Sequence, residues 1–166
     1  DTLSADLQSF VPGRALDDNA HVMMRFEGGA RGTLWCSQVA PGNENGLRLR
    51  VYGDKGGIEW EQENPTQLWF TPFGEPKRLL TRGGAGTGAA AERVTRIPAG
   101  HPEGYLEGFA TIYTEAAEAI EAHRDGKQVS KDVLYPTIED GLQGMRFVDA
   151  CVRSSKRDAA WVKLAG

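Results

Sequence analysis

The sequence predicts an α+β domain, with a mostly antiparallel open β-sheet that has helices packed on one face and uses its other face for oligomerisation. Residues 20 to 80 contain short runs in which apolar and polar side chains alternate, separated by glycine-containing turns, as in antiparallel strands. Residues 101 to 156 instead repeat apolar side chains every three or four positions, which is the helical period. Strands followed by helices indicate that the sheet and the helices are segregated.

Two hairpins are predicted within the strand region. In the first, the run AHVMMRF continues through the turn EGGARG into TLWCSQV. In the second, LRLRVY turns at GDKG into GIEWE, and one register places both opposed charge pairs on one face and both apolar pairs on the other. The predicted cross-strand pairs are Tyr52 with Gly57, Val51 with Ile58, Arg50 with Glu59, Leu49 with Trp60, and Arg48 with Glu61. Leu49, Val51 and Trp60 are then expected to face the helices.

The opposite face of the sheet is predicted to be an interface between copies of the chain. It carries aromatic side chains beside arginines, a composition that is enriched where proteins associate. The predicted interface residues are Met23, Trp35, Arg48, Arg50 and Tyr52. The alternative, an ordinary solvated face with scattered aromatics, stays open from the sequence.

The segment PAGHPEGYLEGFATIY predicts that a long helix begins at about His101. Pro102 suits a first helical turn, and Glu103 places negative charge at the positive end of the helix dipole. An apolar stripe runs through the helix, which indicates that it covers a core. The stripe consists of Tyr105, Phe109, Ile112, Ala116 and Ile120.

The segment from 82 to 96 is rich in glycine and alanine and is predicted to be a mobile loop. Its GGAGTG run superficially resembles a dinucleotide fingerprint, but no apolar strand leads into it and no acidic residue completes a βαβ unit. We therefore expect no cofactor-binding residue in this chain.

Composition limits the classes of partner. A net charge of −4 argues against nucleic acid, and no apolar run approaches the length needed to cross a membrane. Cys36 and Cys151 lack the spacing of a zinc site and are expected to be buried free thiols in a reducing compartment, which predicts a cytoplasmic protein without a metal centre. The 166 residues fit one domain, and the absence of a first Met suggests a piece of a longer protein.

Three blocks of the sequence resemble the C-terminal domain of the Gfo/Idh/MocA oxidoreductases, the relatives of glucose-fructose oxidoreductase and inositol dehydrogenase. They are PAGHPEGYLEGFATIY, GLRLRVYGDKGGIEWEQENPTQLWF and EDGLQGMRFVDACVRSSKRDAAWVKL. The resemblance runs from about Asp17 to the end of the chain and implies a substrate-side and oligomerisation domain.

The resemblance implies chemistry that depends on parts not found in these 166 residues. Full-length members bind NAD or NADP on an N-terminal Rossmann domain and carry a Lys in a Glu-Lys-Pro motif, with an Asp and a His for proton transfer. No residue of this chain is assigned a catalytic role, and the chain alone is expected to be inactive and to bind no NAD(H). The implied substrate is a small-molecule sugar, cyclitol or related polyol.

His101 is the predicted substrate-binding residue of greatest interest, because a rigid helix would hold it next to mobile chain. The other residues predicted to border the polyol pocket are Trp35, Gln38, Asn43 and Asn45. A capping role for His101 is the simpler alternative. Two alternatives to the enzyme domain remain open: a stand-alone carbohydrate-binding or regulatory module, and a pure dimerisation domain.

Overall fold

The computed structural model describes residues 1–164 and divides the chain into two compact units. The terminal unit contains Asp1–Gly42 and the chain from Pro136 onward. The central unit contains Asn43–Tyr135. Within residues 1–164 all strand pairs are antiparallel and three α-helices accompany them, so the predicted α+β class with antiparallel sheets is confirmed.

The terminal unit is a four-stranded sheet with one helix. The strands are β1 (Thr2–Gln8), β2 (Asn19–Arg25), β3 (Arg31–Ser37) and β8 (Val162–Lys163), in the order β3-β2-β1-β8. Helix α3 (Ile138–Ser155) packs on β1, and its Ala150 and Cys151 form a core with Leu3, Ala5 and Val22. The first predicted hairpin is confirmed as β2 and β3.

Ser154 joins the helix, the sheet and the chain after the helix in the terminal unit. The residue is fully buried. Its Oγ accepts a hydrogen bond from the Ala5 backbone N–H at 2.8 Å and donates one to the Ala160 carbonyl at 2.7 Å. One hydroxyl therefore satisfies two backbone groups that the sheet and the helix leave unpaired.

The central unit contains the second sheet and two helices. Its strands are β4 (Arg48–Gly53), β5 (Gly56–Glu61), β6 (Gln67–Pro72) and β7 (Arg78–Thr81), in sequence order, and its helices are α1 (Ala89–Val94) and α2 (Tyr105–Arg124). The register predicted for β4 and β5 is confirmed at all five pairs. The Tyr52 ring fills the space above Gly57, where a Cβ would lie 2.6 Å from it.

Several finer expectations are wrong. The strands form two sheets rather than one, so that Met23 and Trp35 belong to one sheet and Arg48, Arg50 and Tyr52 to the other. Leu49 and Val51 lie on the same sheet face as Trp60, as predicted, but they are not buried there, since 55% and 61% of their surface is exposed. Cys151 is buried as expected, but Cys36 is exposed.

The helix predictions need similar corrections. Helix α2 begins at Tyr105, four residues after His101, and most of its apolar stripe is exposed, while Glu115 and Ala119 are its buried residues. The segment predicted to be a loop contains α1, because its three consecutive alanines are strong helix formers. None of the helices within residues 1–164 has the length and apolar composition to cross a bilayer.

Candidate functional site

The central unit contains a cavity of about 720 Å³, a size typical of small-molecule sites. Trp60, Leu68 and Leu80 project from one face of the β4–β7 sheet and form its apolar floor. Helices α1 and α2 supply the opposite wall, with Ala91, Val94, Tyr105, Gly108 and Thr111. Polar and charged residues also line the cavity, among them Gln62, Gln67, Thr87, Arg82, Glu103 and Glu107.

Trp60 is held in place at the cavity floor. Its indole Nε1–H donates a hydrogen bond to the Pro65 carbonyl at 3.2 Å. The ring is therefore fixed relative to the turn between β5 and β6, and its apolar surface is available to the cavity.

Arg82 and Glu103 form an ion pair in the cavity wall. The Arg82 Nη1 and Glu103 Oε2 atoms are 2.6 Å apart, and only 13% and 5% of the two side chains are exposed. Glu103 also accepts the backbone N–H groups of Arg96 and Ile97, at 2.7 and 3.2 Å. A buried charge pair is favourable only when its remaining hydrogen-bonding capacity is used, and Glu103 meets that condition.

Arg82 uses its guanidinium to hold the chain before α2. Nη2 donates to the carbonyls of Pro98 and His101 at 3.2 and 2.8 Å, and Nη1 donates to the Ile97 carbonyl. The segment leading into His101 is thus tied to the end of β7 through one side chain. Arg82 Nε is buried and has no hydrogen-bond partner among residues 1–164.

The start of α2 is fixed by a hydrogen bond to Glu107 and by the close approach of Gly104 to Pro65, in the turn between β5 and β6. Glu107 Oε2 accepts the Gly104 backbone N–H at 2.9 Å, and this hydrogen bond, assisted by the charges of Arg82 and Arg96, holds the pKa of the Glu107 carboxyl below its usual value. A Cβ at Gly104 would lie 2.9 Å from Pro65 Cγ. The absence of a side chain at Gly104 therefore lets the helix begin directly beside the turn that holds Trp60.

A second ion pair fixes α1 on α2. Arg93 donates to Glu115, and the same carboxylate accepts the Leu134 backbone N–H at 2.8 Å. The Arg93 hydrogen bond is the main cause of a Glu115 pKa below the usual glutamate value. Glu115 is therefore buried in its ionised form. These two partners explain why the buried side of α2 contains a glutamate, whereas most of the apolar stripe is exposed.

His101 lies in the turn before α2 and does not cap the helix. Its side chain is exposed, and its Nδ1 is 3.3 Å from the Ala99 carbonyl. The imidazole is not part of the cavity lining, although the His101 backbone is bound by the cavity residue Arg82. The structure thus places His101 on a fixed turn adjoining the cavity wall.

The other predicted substrate residues lie outside the cavity lining. Trp35 and Gln38 belong to the terminal unit, where the Trp35 Nε1–H donates to Asn19 Oδ1 at 2.9 Å and the Trp35 ring stacks on His21. Asn43 and Asn45 are exposed in the loop that precedes β4. Sequence reasoning missed Trp60, Arg82 and Glu103 as cavity residues, because their meeting depends on the fold and on no local motif.

The predicted interface residues of the central unit share one face of the β4–β7 sheet. This outer face consists of Arg48, Arg50, Tyr52, Glu59, Glu61, Trp69 and Leu79. Arg48 pairs with Glu61 at 3.3 Å, and Lys77 pairs with Glu59 at 3.1 Å while its Nζ lies 5.0 Å from the Trp69 ring centroid. Tyr52 is 67% exposed and Trp69 40% exposed. Met23 and Trp35 share a face of the other sheet.

The described residues do not fit a dinucleotide. The glycine-rich run from Gly83 to Gly88 leads into a six-residue helix from an antiparallel strand, so it lacks the parallel βαβ geometry that presents backbone N–H groups to a pyrophosphate. The space at Gly84 is filled by Thr81, whose Oγ1 would lie 2.6 Å from a Cβ. No group of three or more His, Cys, Asp or Glu side chains within residues 1–164 could hold a metal ion.

The chain is similar to three oxidoreductases over almost its whole length. It is 66% identical to the structure of an oxidoreductase from Sinorhizobium meliloti, with a TM-score of 0.93 over 98% of this chain and 46% of that one. It is 40% identical to an inositol dehydrogenase homologue from Azotobacter vinelandii, solved with NADH and myo-inositol, with a TM-score of 0.92 over 98% of this chain and 43% of that one. It is also 40% identical to the uncharacterized oxidoreductase YfiI of Bacillus subtilis, over 97% of this chain and 42% of that protein.

The family model described as "Oxidoreductase family, C-terminal alpha/beta domain" matches residues 2–164. The chain spans less than half the length of each of the three similar proteins. Both findings agree with the antiparallel sheets and three helices of the structure. The chain therefore belongs to the Gfo/Idh/MocA oxidoreductase family, of which it is the C-terminal α/β domain.

Proposed function

We propose that the chain is the substrate-side and self-association domain of an NAD(P)-dependent oxidoreductase that acts on a sugar, a cyclitol or a related polyol. The family match over residues 2–164 carries this proposal. The 40% identity to a homologue solved with NADH and myo-inositol supports both the cofactor and the substrate class. NAD or NADP would be bound by a separate Rossmann domain of the same protein, since the residues described here do not fit it.

In such an enzyme hydride passes between a substrate carbinol carbon and the nicotinamide, which is chemistry of the cofactor. The contribution of this domain is to bind and orient the polyol. The turn that carries His101 suits this role, because Arg82 and Glu103 fix its backbone while its imidazole stays exposed. The polyol would border His101 together with Asn43 and Asn45 of the same unit.

We expect the intact protein to reduce NAD⁺ or NADP⁺ with a cyclic polyol such as myo-inositol, and His101→Ala to lower kcat/KM by about tenfold or more. The reason is the loss of roughly one hydrogen bond that is better made in the transition state. Steady-state kinetics across a panel of sugars and cyclitols measures both expectations.

His123→Ala is the matched control, because His123 is also exposed but lies in the last turn of α2. It should leave kcat/KM unchanged. Equal losses for the two variants, or no loss for His101→Ala, would contradict a substrate role for His101. Absence of turnover with every polyol and both cofactors would contradict the proposed function.

Self-association through the outer face is the second part of the proposal. The face combines exposed aromatic rings with the ion pairs Arg48–Glu61 and Lys77–Glu59, so that two copies can bury apolar surface while these charges stay compensated. A stable dimer would bury more than about 1,000 Å² in total.

Tyr52→Glu is expected to convert the self-associated protein to a monomer, because it places an unpaired negative charge on the face that the association would bury. Val51→Glu is the matched control, since Val51 is similarly exposed on the opposite face of the same strand. Light scattering coupled to size-exclusion chromatography distinguishes the two. If Val51→Glu dissociates the protein and Tyr52→Glu does not, the association uses the other face.

A further inference from the structure

The cavity of the central unit has the properties of a ligand site that the proposed function does not use. Its floor is a fixed indole, its walls come from two helices, and its volume is about 720 Å³. A cavity with an apolar floor and a few convergent polar groups is the arrangement in which proteins bind small molecules.

The charges around the cavity indicate what kind of molecule fits. Arg82 is paired with Glu103, and Glu107 is hydrogen-bonded at the helix start under the influence of Arg82 and Arg96. An anion would approach two carboxylates, and a cation would approach carboxylates whose charges Arg82, Arg96 and backbone N–H groups already compensate. The ligand that this lining favours is therefore uncharged.

Gln62 and Glu107 indicate where such a ligand would be held, because both line the cavity. The Glu107 carboxylate accepts the Gly104 N–H through Oε2 and keeps further acceptor capacity for a ligand hydroxyl. Arg82 is not available for this role, since its Nη atoms are occupied by Glu103 and by three backbone carbonyls and its Nε is buried.

We propose that this cavity binds an uncharged, ring-shaped molecule with hydroxyl or ether oxygens, which stacks on Trp60 and forms hydrogen bonds with Gln62 and Glu107. The Gln62 amide can donate to and accept from the ring oxygens, and the Glu107 carboxylate can accept from ligand hydroxyls. The choice of a polyol as the occupant rests in part on the proposed function, whereas the position of the site rests on the cavity itself.

The tryptophans of the chain provide a direct readout. The chain has four, and Trp60 and Trp69 lie on opposite faces of the same sheet. In ¹H–¹⁵N NMR spectra of the 166-residue chain, myo-inositol or cellobiose is expected to shift the Trp60 indole signal and the amides around Gly108 saturably. The Trp69 indole signal should not move. A saturable shift at Trp35 without one at Trp60, or no shift with either probe, would overturn the proposal.

Gly108→Leu tests the same site by filling it. Gly108 lines the cavity, and a Cβ built on it meets no atom within 4 Å, so a side chain at this position starts in open space. Leucine is also the better helix former, so that the variant should fold. Gly144→Leu in α3 is the matched control, because its Cβ likewise meets nothing and it lies outside the cavity lining. Gly108→Leu should weaken probe binding by about tenfold or more, and Gly144→Leu should not.

The two proposals fail in different ways. If the intact enzyme turns over a polyol but the Trp60 titration neither saturates nor responds to Gly108→Leu, the cavity proposal fails and the proposed function stands. If the Trp60 titration saturates and responds to Gly108→Leu while no polyol is oxidised, the proposed function fails and the cavity proposal stands.

Discussion

Glu103→Ala is expected to destabilise the protein by about 3–5 kcal/mol, because it leaves Arg82 as a buried charge without a counter-charge. Glu103 has only 5% of its side chain exposed, and it also accepts two backbone N–H groups from Arg96 and Ile97. Those groups lose their acceptor in the variant. The fall in the free energy of unfolding can be measured by urea denaturation followed by circular dichroism.

Glu61→Ala is the matched control for this ion-pair prediction. Glu61 pairs with Arg48 at 3.3 Å, but 48% of its side chain is exposed, and an exposed pair contributes at most about 1 kcal/mol. Glu103→Gln should fall between the two, since the amide keeps one acceptor oxygen but loses the charge. If Glu103→Ala and Glu61→Ala lower the free energy of unfolding equally, the buried Arg82–Glu103 pair stabilises the protein no more than an exposed pair does.

The strand register was predictable because its causes are local. Arg48 and Glu61 can be recognised as partners from charge and from a period of two, and a slip by one residue would oppose them to apolar side chains. The bodies of α2 and α3 were predictable for the same reason, since the helical period is visible in a short window.

The beginning of α2 was not predictable from local signals. Pro102 and Glu103 have the composition of a first helical turn, but the Glu103 carboxylate is used by Arg82 and by two backbone groups earlier in the chain. The observed start at Tyr105 depends on Gly104 approaching Pro65, a contact between residues 39 positions apart. Long-range contacts of this kind override a capping preference that is worth only about 1 kcal/mol.

The apolar stripe of α2 shows that helical periodicity alone does not predict which residues of a helix are buried. The period identifies one side of the helix as apolar, but it does not identify what covers that side. Glu115 is buried because Arg93 and the Leu134 N–H satisfy its carboxylate, and neither partner is close to it in sequence. The cavity was missed for the same reason, since Trp60, Arg82 and Gly108 come from three different elements.

Ser154→Ala is expected to be the most damaging small substitution in the terminal unit. The serine hydroxyl is fully buried and serves both the Ala5 N–H and the Ala160 carbonyl, so that its removal leaves two backbone groups without their partner. Each orphaned buried group costs about 1–3 kcal/mol. The free energy of unfolding from urea denaturation should fall accordingly.

Ser155→Ala is the matched control for the Ser154 prediction. Ser155 is the next residue of α3, is only half-buried, and accepts a single hydrogen bond from the Leu7 N–H at 3.1 Å. Its loss should cost no more than about 1 kcal/mol, because water can reach the exposed group. Hydrogen exchange separates the two cases further: Ser154→Ala should increase exchange at the Ala5 amide, whereas Ser155→Ala should affect only the Leu7 amide. If Ser154→Ala costs no more than Ser155→Ala, the hydroxyl does not join α3 to β1 in the way that its two hydrogen bonds indicate.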